Sequence, residues 1–337
     1  MDLQDFLREW NSDAPTVLVH TSGSTGRPKP LRVEKSRMEA SARMTCRFLG
    51  LSEGDSALLC LPLDYIAGKM MVVRALTCGL KLLTVPPTGH PLADIGPLLS
   101  PESPSIGLAA MVPLQVWNTL RVSEERERLR RVRHLLIGGG PVDDAMAEEL
   151  RDFPNAVWST YGMTETLSHI ALRRLSRPEA SQWYTPFDGV TVSLSEEGCL
   201  VVDAPAVHDG PLVTNDIAEL EAPSAAGQGC RRFRILGRKD NVICSGGVKI
   251  MMEEVERQLR RHLDVPFMIT KAPDARLGEQ VVLLTEATDV AAIEALCRQV
   301  LPQFYMPRRL LTVAKLPLTE TGKPARHEAE RLARELV

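Results

Sequence analysis

Thr21-Ser22-Gly23-Ser24-Thr25-Gly26-Arg27-Pro28-Lys29 is the stretch of this chain best equipped for chemistry. It sets four hydroxyls, two glycines and two cations directly after the apolar run Thr16–His20. Glycines let backbone N–H groups converge on one point, hydroxyls add donors, and Lys29 adds a formal positive charge. Such a set suits a polyphosphate. A Walker A loop is excluded, because Pro30 follows Lys29 and the G-x-x-x-x-G-K-[ST] spacing is absent. Gly68-Lys69 and Gly322-Lys323 lack the following Ser or Thr as well. A Ser/Thr/Gly-rich surface turn would have the same composition, so the loop alone leaves both readings open.

The elements that would carry this loop alternate in period. Thr16–His20, Ser56–Leu61, Leu80–Val85, Ile106–Val112, His134–Ile137 and Ala156–Ser159 read as strands, with helices expected at Glu34–Leu49 and Ala67–Cys78. Strands separated by helices predict a layered α/β domain with parallel pairing. The charged run Arg121–Arg133 reads as a solvated helix face. From about Thr185 the texture changes to short β-like runs at Val190–Leu194, Cys199–Asp203, Leu212–Thr214 and Arg232–Leu236, with a surface loop at Ala222–Gly229. After Asp240 a smaller α+β unit is expected, with helices near Glu253–Leu263 and Val290–Leu301 and strands near Phe267–Thr270 and Gln280–Glu286. The domains so predicted are 1–239, with a β-rich part at about 185–236, and 240–337.

Composition narrows the class. The 337 residues carry 40 Lys and Arg against 43 Asp and Glu, a net charge of -3. Neither nucleic acid nor an anionic membrane is an expected partner. No apolar run reaches the roughly eighteen residues of a membrane helix, and the acidic start Met-Asp-Leu-Gln-Asp-Phe does not read as a signal peptide. Seven scattered cysteines without C-x-x-C spacing argue against structural zinc and a disulfide framework, and for the cytoplasm.

T-S-G-S-T-G-R-P-K resembles the phosphate loop of the adenylate-forming superfamily, which includes acyl-CoA synthetases, luciferases and peptide-synthetase adenylation domains. Five further segments resemble its motifs in the same order. Gly138-Gly139-Gly140-Pro141 resembles the segment whose backbone meets adenine and the acyl pocket. Tyr161-Gly162-Met163-Thr164-Glu165 resembles Y-G-x-T-E, which implies a ring against adenine, a Thr on the α-phosphate and a Glu holding Mg²⁺. Thr214-Asn215-Asp216 resembles T-G-D, whose Asp binds the ribose hydroxyls, with Asn in place of Gly. Gly237-Arg238-Lys239-Asp240, followed by Ser245-Gly246-Gly247, resembles the hinge segment. The resemblance implies Arg238 on ribose, Asp240 as pivot, and Ser245, Gly246 and Gly247 beside the pantetheine channel. Pro317-Leu318-Thr319-Glu320-Thr321-Gly322-Lys323 resembles the C-terminal motif whose Lys serves adenylation. Alone, these segments also read as a tight turn, a strand-to-helix turn with a capping threonine, and a solvated lysine.

The resemblance implies an α/β fold, N-terminally shortened: a layered large domain with a β-rich subdomain and a small mobile α+β C-terminal domain. It implies an AMP-forming acid–thiol ligase with Mg²⁺ as cofactor and ATP, CoA and a carboxylic acid as small-molecule partners. Y-G-M-T-E-T-L-S-H and L-P-L-D-Y-I-A-G-K resemble segments of the short o-succinylbenzoate–CoA ligase branch, with Asp64 and Tyr65 departing from its Phe-His. Such a substrate carries a second carboxylate, and Tyr65, Lys69, Arg74 and His169 are the pocket candidates. Lys69 and Arg74 could instead face solvent from a helix, and His169 could be a satisfied helix histidine. Another aromatic or medium-chain acid, an adenylation domain loading a carrier protein, and a nucleotide-binding module without catalysis are the competing functions. A homodimer is the default assembly.

Overall fold

The computed structural model describes residues 1–20, 30–99, 105–222, 231–319 and 324–337. The first elements are α1 (Leu3–Trp10), β1 (Thr16–His20), β2 (Pro30–Glu34) and α2 (Lys35–Leu49). Then come β3 (Ser56–Leu59), α3 (Ile66–Cys78), β4 (Lys81–Thr84), β5 (Leu108–Met111), α4 (Pro113–Leu120) and α5 (Ser123–Leu129). They are followed by β6 (His134–Ile137), α6 (Asp144–Leu150), β7 (Ala156–Gly162), β8 (His169–Arg174) and β9 (Thr185–Pro186). Seven of these strands form one sheet in the order β4-β3-β5-β6-β7-β8-β9. Pairing is parallel from β4 through β7 and antiparallel beyond. The parallel core buries Leu58, Ala109, Leu135 and Val157 with α4's Val116 and α6's Leu150.

Next are β10 (Thr191–Leu194), β11 (Cys199–Asp203), β12 (Leu212–Leu220) and β13 (Phe233–Arg238), a four-stranded sheet in that order. The chain continues through β14 (Val242–Ser245), β15 (Val248–Met251), α7 (Met252–Leu259), β16 (Phe267–Asp274), β17 (Gly278–Thr285), α8 (Val290–Val300), β18 (Arg309–Thr312) and α9 (Arg326–Leu336). A five-stranded sheet runs β15-β14-β17-β16, with β18 beside β17. Its faces bury Ile250, Val255 and Ile293 in one cluster, and Met268, Val282 and Ala329 in another. Met1–Ser193, Val201–Leu212 and Leu220–Arg234 form one compact unit; Leu194–Leu200, Val213–Glu219 and Ile235–Val337 form a second.

Three expectations are corrected. Thr16–His20 does not join the parallel sheet but pairs antiparallel with Pro30–Glu34, from Thr16↔Glu34 to His20↔Pro30. Alternation marks a strand without naming its partner, and β2 buries only Val33, so its apolar signal was too thin to register. The strand β8 was absent from the sequence reading and carries His169, which is therefore not in a helix. Thr185–Pro186 belongs to the edge of the seven-stranded sheet, not to the following β-rich part. The loop expected at Ala222–Gly229 lies, after Ala222, outside the described residues.

Helix α3 is buried nearly all round, from Gly68 to Ala75, as its uninterrupted apolar sequence requires. The amphipathic α1 covers part of it. Asp2 caps α1 by accepting from the Asp5 N–H at 2.7 Å. Phe6 is fully buried, and the Lys69 ammonium stands 5.0 Å from its ring centroid. Glu9 accepts from the Leu18 N–H of β1 at 3.0 Å, and its second oxygen lies 3.9 Å from Lys69 Nζ. One short helix thus ties β1 to α3. Replacing Phe6 by alanine is expected to cost about 3 kcal/mol, read from denaturant unfolding; a loss below about 1 kcal/mol would show that α1 is not packed this way.

Candidate active site

Strands β3, β5, β6 and β7 run in one direction, so the segments following them gather at one edge of the sheet. Gly138 follows β6 and donates to the Met111 carbonyl at 3.1 Å. Gly139, Gly140 and Pro141 then lead to Asp143, which caps α6 by accepting from the Met146 N–H at 2.8 Å. Strand β7 ends at Tyr161-Gly162. A Cβ on Gly162 would stand 2.3 Å from the Ser168 carbonyl oxygen, so only glycine lets β8 fold back here. The Tyr161 ring is almost wholly buried, 5.0 Å from Phe233 edge-on and 5.8 Å from Tyr184. Thr164–Thr166 form a single 3₁₀ turn in which Thr164 is half-buried and Glu165 exposed. Leu167, with φ 64°, closes it: the Ser168 N–H donates to the Thr166 carbonyl at 2.7 Å, a γ-turn. Holding a leucine at positive φ costs about 1 kcal/mol or more, a strain that collects at functional turns.

The four acyl-pocket candidates share this unit. Tyr65 caps the start of α3 without a side-chain hydrogen bond and is half-buried. Neither Lys69 nor Arg74 faces solvent, which removes that alternative: they are 1% and 2% exposed. Burial pushes the Lys69 pKa down, partly offset by Glu9 and Asp64. Arg74 has its pKa pushed down by burial to about 10, and its Nε–H is buried without a partner among the described residues.

A directional chain of hydrogen bonds leads away from Arg74. Its Nη2 donates to Ser168 Oγ at 2.6 Å, and Ser168 Oγ lies 3.3 Å from His169 Nδ1. At the far side His169 Nε2 is 3.0 Å from Thr45 Oγ1, whose own proton goes to the Ser41 carbonyl at 3.1 Å. Thr45 therefore accepts, His169 carries its proton on Nε2, and Nδ1 accepts from Ser168. Ser168, His169 and Thr45 are all satisfied with a neutral imidazole. Burial first, and then the Arg74 charge, hold the His169 pKa well below the ordinary 6.5. His169 is consequently no cation for a substrate carboxylate. Thr45 was invisible in the sequence, standing 124 residues from its partner on another element.

The remaining candidates lie in the second unit. Thr214 Oγ1 donates to the Leu200 carbonyl at 2.8 Å and accepts from the Asp216 N–H at 3.1 Å, which fixes the Asp216 backbone. Arg238 reaches Asp216 at 3.4 Å and Asp240 at 3.0 Å, and Asn215 Nδ2 lies 3.4 Å from Asp240. Ser245 ends β14 opposite Val248 of β15, and Gly246-Gly247 make the two-residue turn between them. Their φ values of 58° and 83° are those of a type I′ hairpin turn, so the pair is required by the backbone itself. Lys323 and the loop residues Thr21, Ser22, Gly23, Ser24, Thr25, Gly26 and Lys29 lie outside the described residues.

Among the described residues, no three His, Cys, Asp or Glu side chains stand together as a metal cage. Mg²⁺ held by one or two carboxylates and substrate phosphates needs none. Glu165, exposed and without an ion pair among the described residues, fits that role. No described helix is long and apolar enough to cross a membrane.

The sequence profile of the family described as AMP-binding enzyme matches residues 4–210. A 2-succinylbenzoate–CoA ligase of Bacillus mycoides is 25% identical, over 97% of this chain and 72% of its own. The structure of an acyl-CoA synthetase (AMP-forming)/AMP-acid ligase II-like protein from Dyadobacter fermentans is 34% identical, with a TM-score of 0.63, covering 96% of this chain and 92% of that one. An o-succinylbenzoate CoA synthetase from Bacillus subtilis, solved with its acyl-adenylate intermediate, shares the fold at TM-score 0.74 and 23% identity, over 94% of this chain and 69% of its own. The chain belongs to the AMP-binding enzyme family, and with it to the AMP-forming acid–thiol ligases its motifs resemble.

Two measurements test the site as built. As pH falls below 6.5, the unfolded chain takes up a proton at His169 that the folded chain refuses, so this residue's contribution to stability is lost with falling pH. Relative to wild type, His169→Gln is expected to flatten the fall in unfolding free energy between about pH 6 and 5 by up to about 1.4 kcal/mol per pH unit; equal slopes would mean that the imidazole titrates normally. Gly247→Ala should destabilise the chain by about 1 kcal/mol, and an unchanged denaturation midpoint would contradict the positive φ.

Proposed function

We propose that this AMP-binding enzyme activates o-succinylbenzoate as its acyl-adenylate and transfers it to CoA. A carboxylate resists nucleophilic attack because of its charge and resonance, and coupling to AMP supplies a leaving group. In the first half-reaction a carboxylate oxygen attacks the α-phosphorus of ATP and pyrophosphate leaves. Negative charge gathers on phosphoryl oxygens, so donors and cations set in advance carry the rate. Lys323, Lys29 and the hydroxyls of Thr21, Ser22, Ser24 and Thr25 are the proposed groups, with Thr164 on the α-phosphate. Glu165 would hold Mg²⁺, which when bound neutralises phosphate charge. Tyr161, Gly162, Gly139, Gly140 and Pro141 are assigned to adenine and the acyl group, and Asp216 and Arg238 to ribose. In the second half-reaction the CoA thiol attacks the acyl carbonyl and AMP leaves. Asp240 is assigned as the pivot for residues 240–337, and Ser245, Gly246 and Gly247 to the thiol's approach.

The observation that carries the choice of acid is Arg74. A fully buried guanidinium with no carboxylate partner among the described residues and an unpaired Nε–H is costly unless an anion completes it. The second carboxylate of o-succinylbenzoate is such an anion, and a monocarboxylic fatty acid offers none. Names of relatives such as the Bacillus mycoides ligase support the same acid.

Pyrophosphate release with ATP, Mg²⁺ and o-succinylbenzoate, benzoate, octanoate or acetate, with and without CoA, tests this reading. Turnover is expected with o-succinylbenzoate, falling at least about a hundredfold in Lys323→Ala. Arg74→Met should raise KM for o-succinylbenzoate far more than for benzoate. Turnover with octanoate or benzoate alone would discard the dianionic acid. Silence with every acid would leave nucleotide binding or carrier loading.

A further inference from the structure

In the second unit, one helix is bound both to the residue after Asp240 and to the residues that follow 320–323. Glu253 and Glu256 stand three positions apart on α7 and so lie on adjacent parts of one helix face. Glu253 accepts from Asn241 Nδ2 at 2.5 Å, and Asn241 directly follows Asp240. Glu256 accepts both arms of Arg326, Nη1 to Oε1 at 2.6 Å and Nη2 to Oε2 at 2.8 Å. Arg326 Nη1 also donates to the Ile269 carbonyl at 2.7 Å, while the Ile269 N–H donates to Glu256 Oε1 at 3.0 Å. The Glu256 side chain is 3% exposed and that of Arg326 21%, so the pair is shielded and its fork geometry fixed. Arg326 opens α9, three residues after Lys323. Just before it, Ala325 N–H donates to the Pro317 carbonyl at 3.0 Å, and Leu318 bridges Pro324. Both flanks of residues 320–323 are therefore pinned together, and the exit flank is clamped to α7.

A helix is a stiff strut, and its two carboxylates fix the separation between the Asp240 segment and Pro324. We infer that Arg326 and Glu256 are positioning residues for the adenylation half-reaction: their ion pair fixes the start of α9, which follows Lys323 in the sequence, relative to the Asp240 segment. This rests on the role proposed for Lys323. A fold of this kind could be held by any apolar contact, and α9 already buries Ala329 and Ala333 against β16. A bidentate buried pair adds direction, because only one placement of the chain satisfies both oxygens. Since Lys323 serves only the first half-reaction, loss of the clamp should separate the two halves. A purely structural residue would depress both equally.

The test compares full-length wild type with Arg326→Met, Arg326→Lys and Glu256→Gln, using Arg331→Met on the exposed face of α9 as control. Adenylation is read by acid-dependent ATP–pyrophosphate exchange, and thioester formation by supplying preformed acyl-adenylate and CoA. Exchange is expected to fall by about a hundredfold in Arg326→Met, a loss of the size that misplacement by an ångström produces, and by less in Arg326→Lys. Glu256→Gln keeps an oxygen for the Ile269 N–H and should fall between them. Thioester formation should stay within about twofold of wild type in each variant that keeps its circular-dichroism spectrum. Equal losses in both halves, or unchanged exchange, would overturn the inference. If wild type itself exchanges with no acid, the ligase reading fails instead. The clamp is then judged by amide exchange at Ala325, expected to accelerate in Arg326→Met but not in Arg331→Met; no acceleration would overturn it.

Discussion

Parallel pairing of β3, β5, β6 and β7 is the constraint on which the rest of the first unit depends. Parallel strands cannot be joined by tight hairpins, so each must be followed by a crossover that returns to the opposite edge. Every segment leaving a strand therefore starts at the same edge. That is why residues as distant in sequence as Gly138 and Thr160 are neighbours: a Cβ on Gly138 would lie 2.6 Å from Thr160 Oγ1. Gln115 stitches the edge together, its amide donating to the Cys60 carbonyl at 3.1 Å and to the Thr88 carbonyl at 2.8 Å. Backbone groups that leave strands unpaired are satisfied by a buried side chain, so the turns are held where chemistry can use them.

The same edge concentrates departures from easy folding. Gly162 meets β8 at a distance no side chain permits, Leu167 sits in a strained γ-turn, and Arg74 is a buried cation without a carboxylate partner among the described residues. Each is costly by itself. The chain from Arg74 through Ser168 and His169 to Thr45 reduces that cost by giving most of the polar atoms a partner, in one donor direction. A single reversed donor in such a chain would leave two groups unmatched, so its polarity holds the side chains in one arrangement.

Much of this was legible in the sequence. Strands alternating with helices announced the parallel sheet, and two of the motif segments, Gly138–Pro141 and Tyr161–Glu165, fell at the ends of β6 and β7. What escaped was partner choice. The apolar run Thr16–His20 looks like its parallel neighbours, yet its mate Pro30–Glu34 buries one residue and is recognisable only from register. Lys69, Arg74 and His169 were each readable as ordinary solvent or core groups, because burial of a charge is decided by elements far off in the chain. Phe6 and Glu9 of α1 decide it for Lys69, and Ser168 does so for Arg74. The glycines of Gly246-Gly247 were legible as a motif, but the φ demand of a hairpin turn explains them without a ligand.

Asn215 shows how a departure from a family pattern acquires meaning from geometry. Where the resemblance implies glycine, the asparagine amide lies 3.4 Å from Asp240, and Arg238 holds the other side of the same carboxylate oxygen at 3.0 Å. Asp240 is thus restrained by two donors from β12 and β13, while Asn241 beside it is tied to Glu253 of α7. Both the carboxylate and the backbone that follows it are referenced to rigid elements. The pivot proposed at Asp240 would require that the torsions that change be few and the rest of the segment stiff. Side chains around Asp240 restrain it within the second unit, and α7 links Asn241 to Arg326.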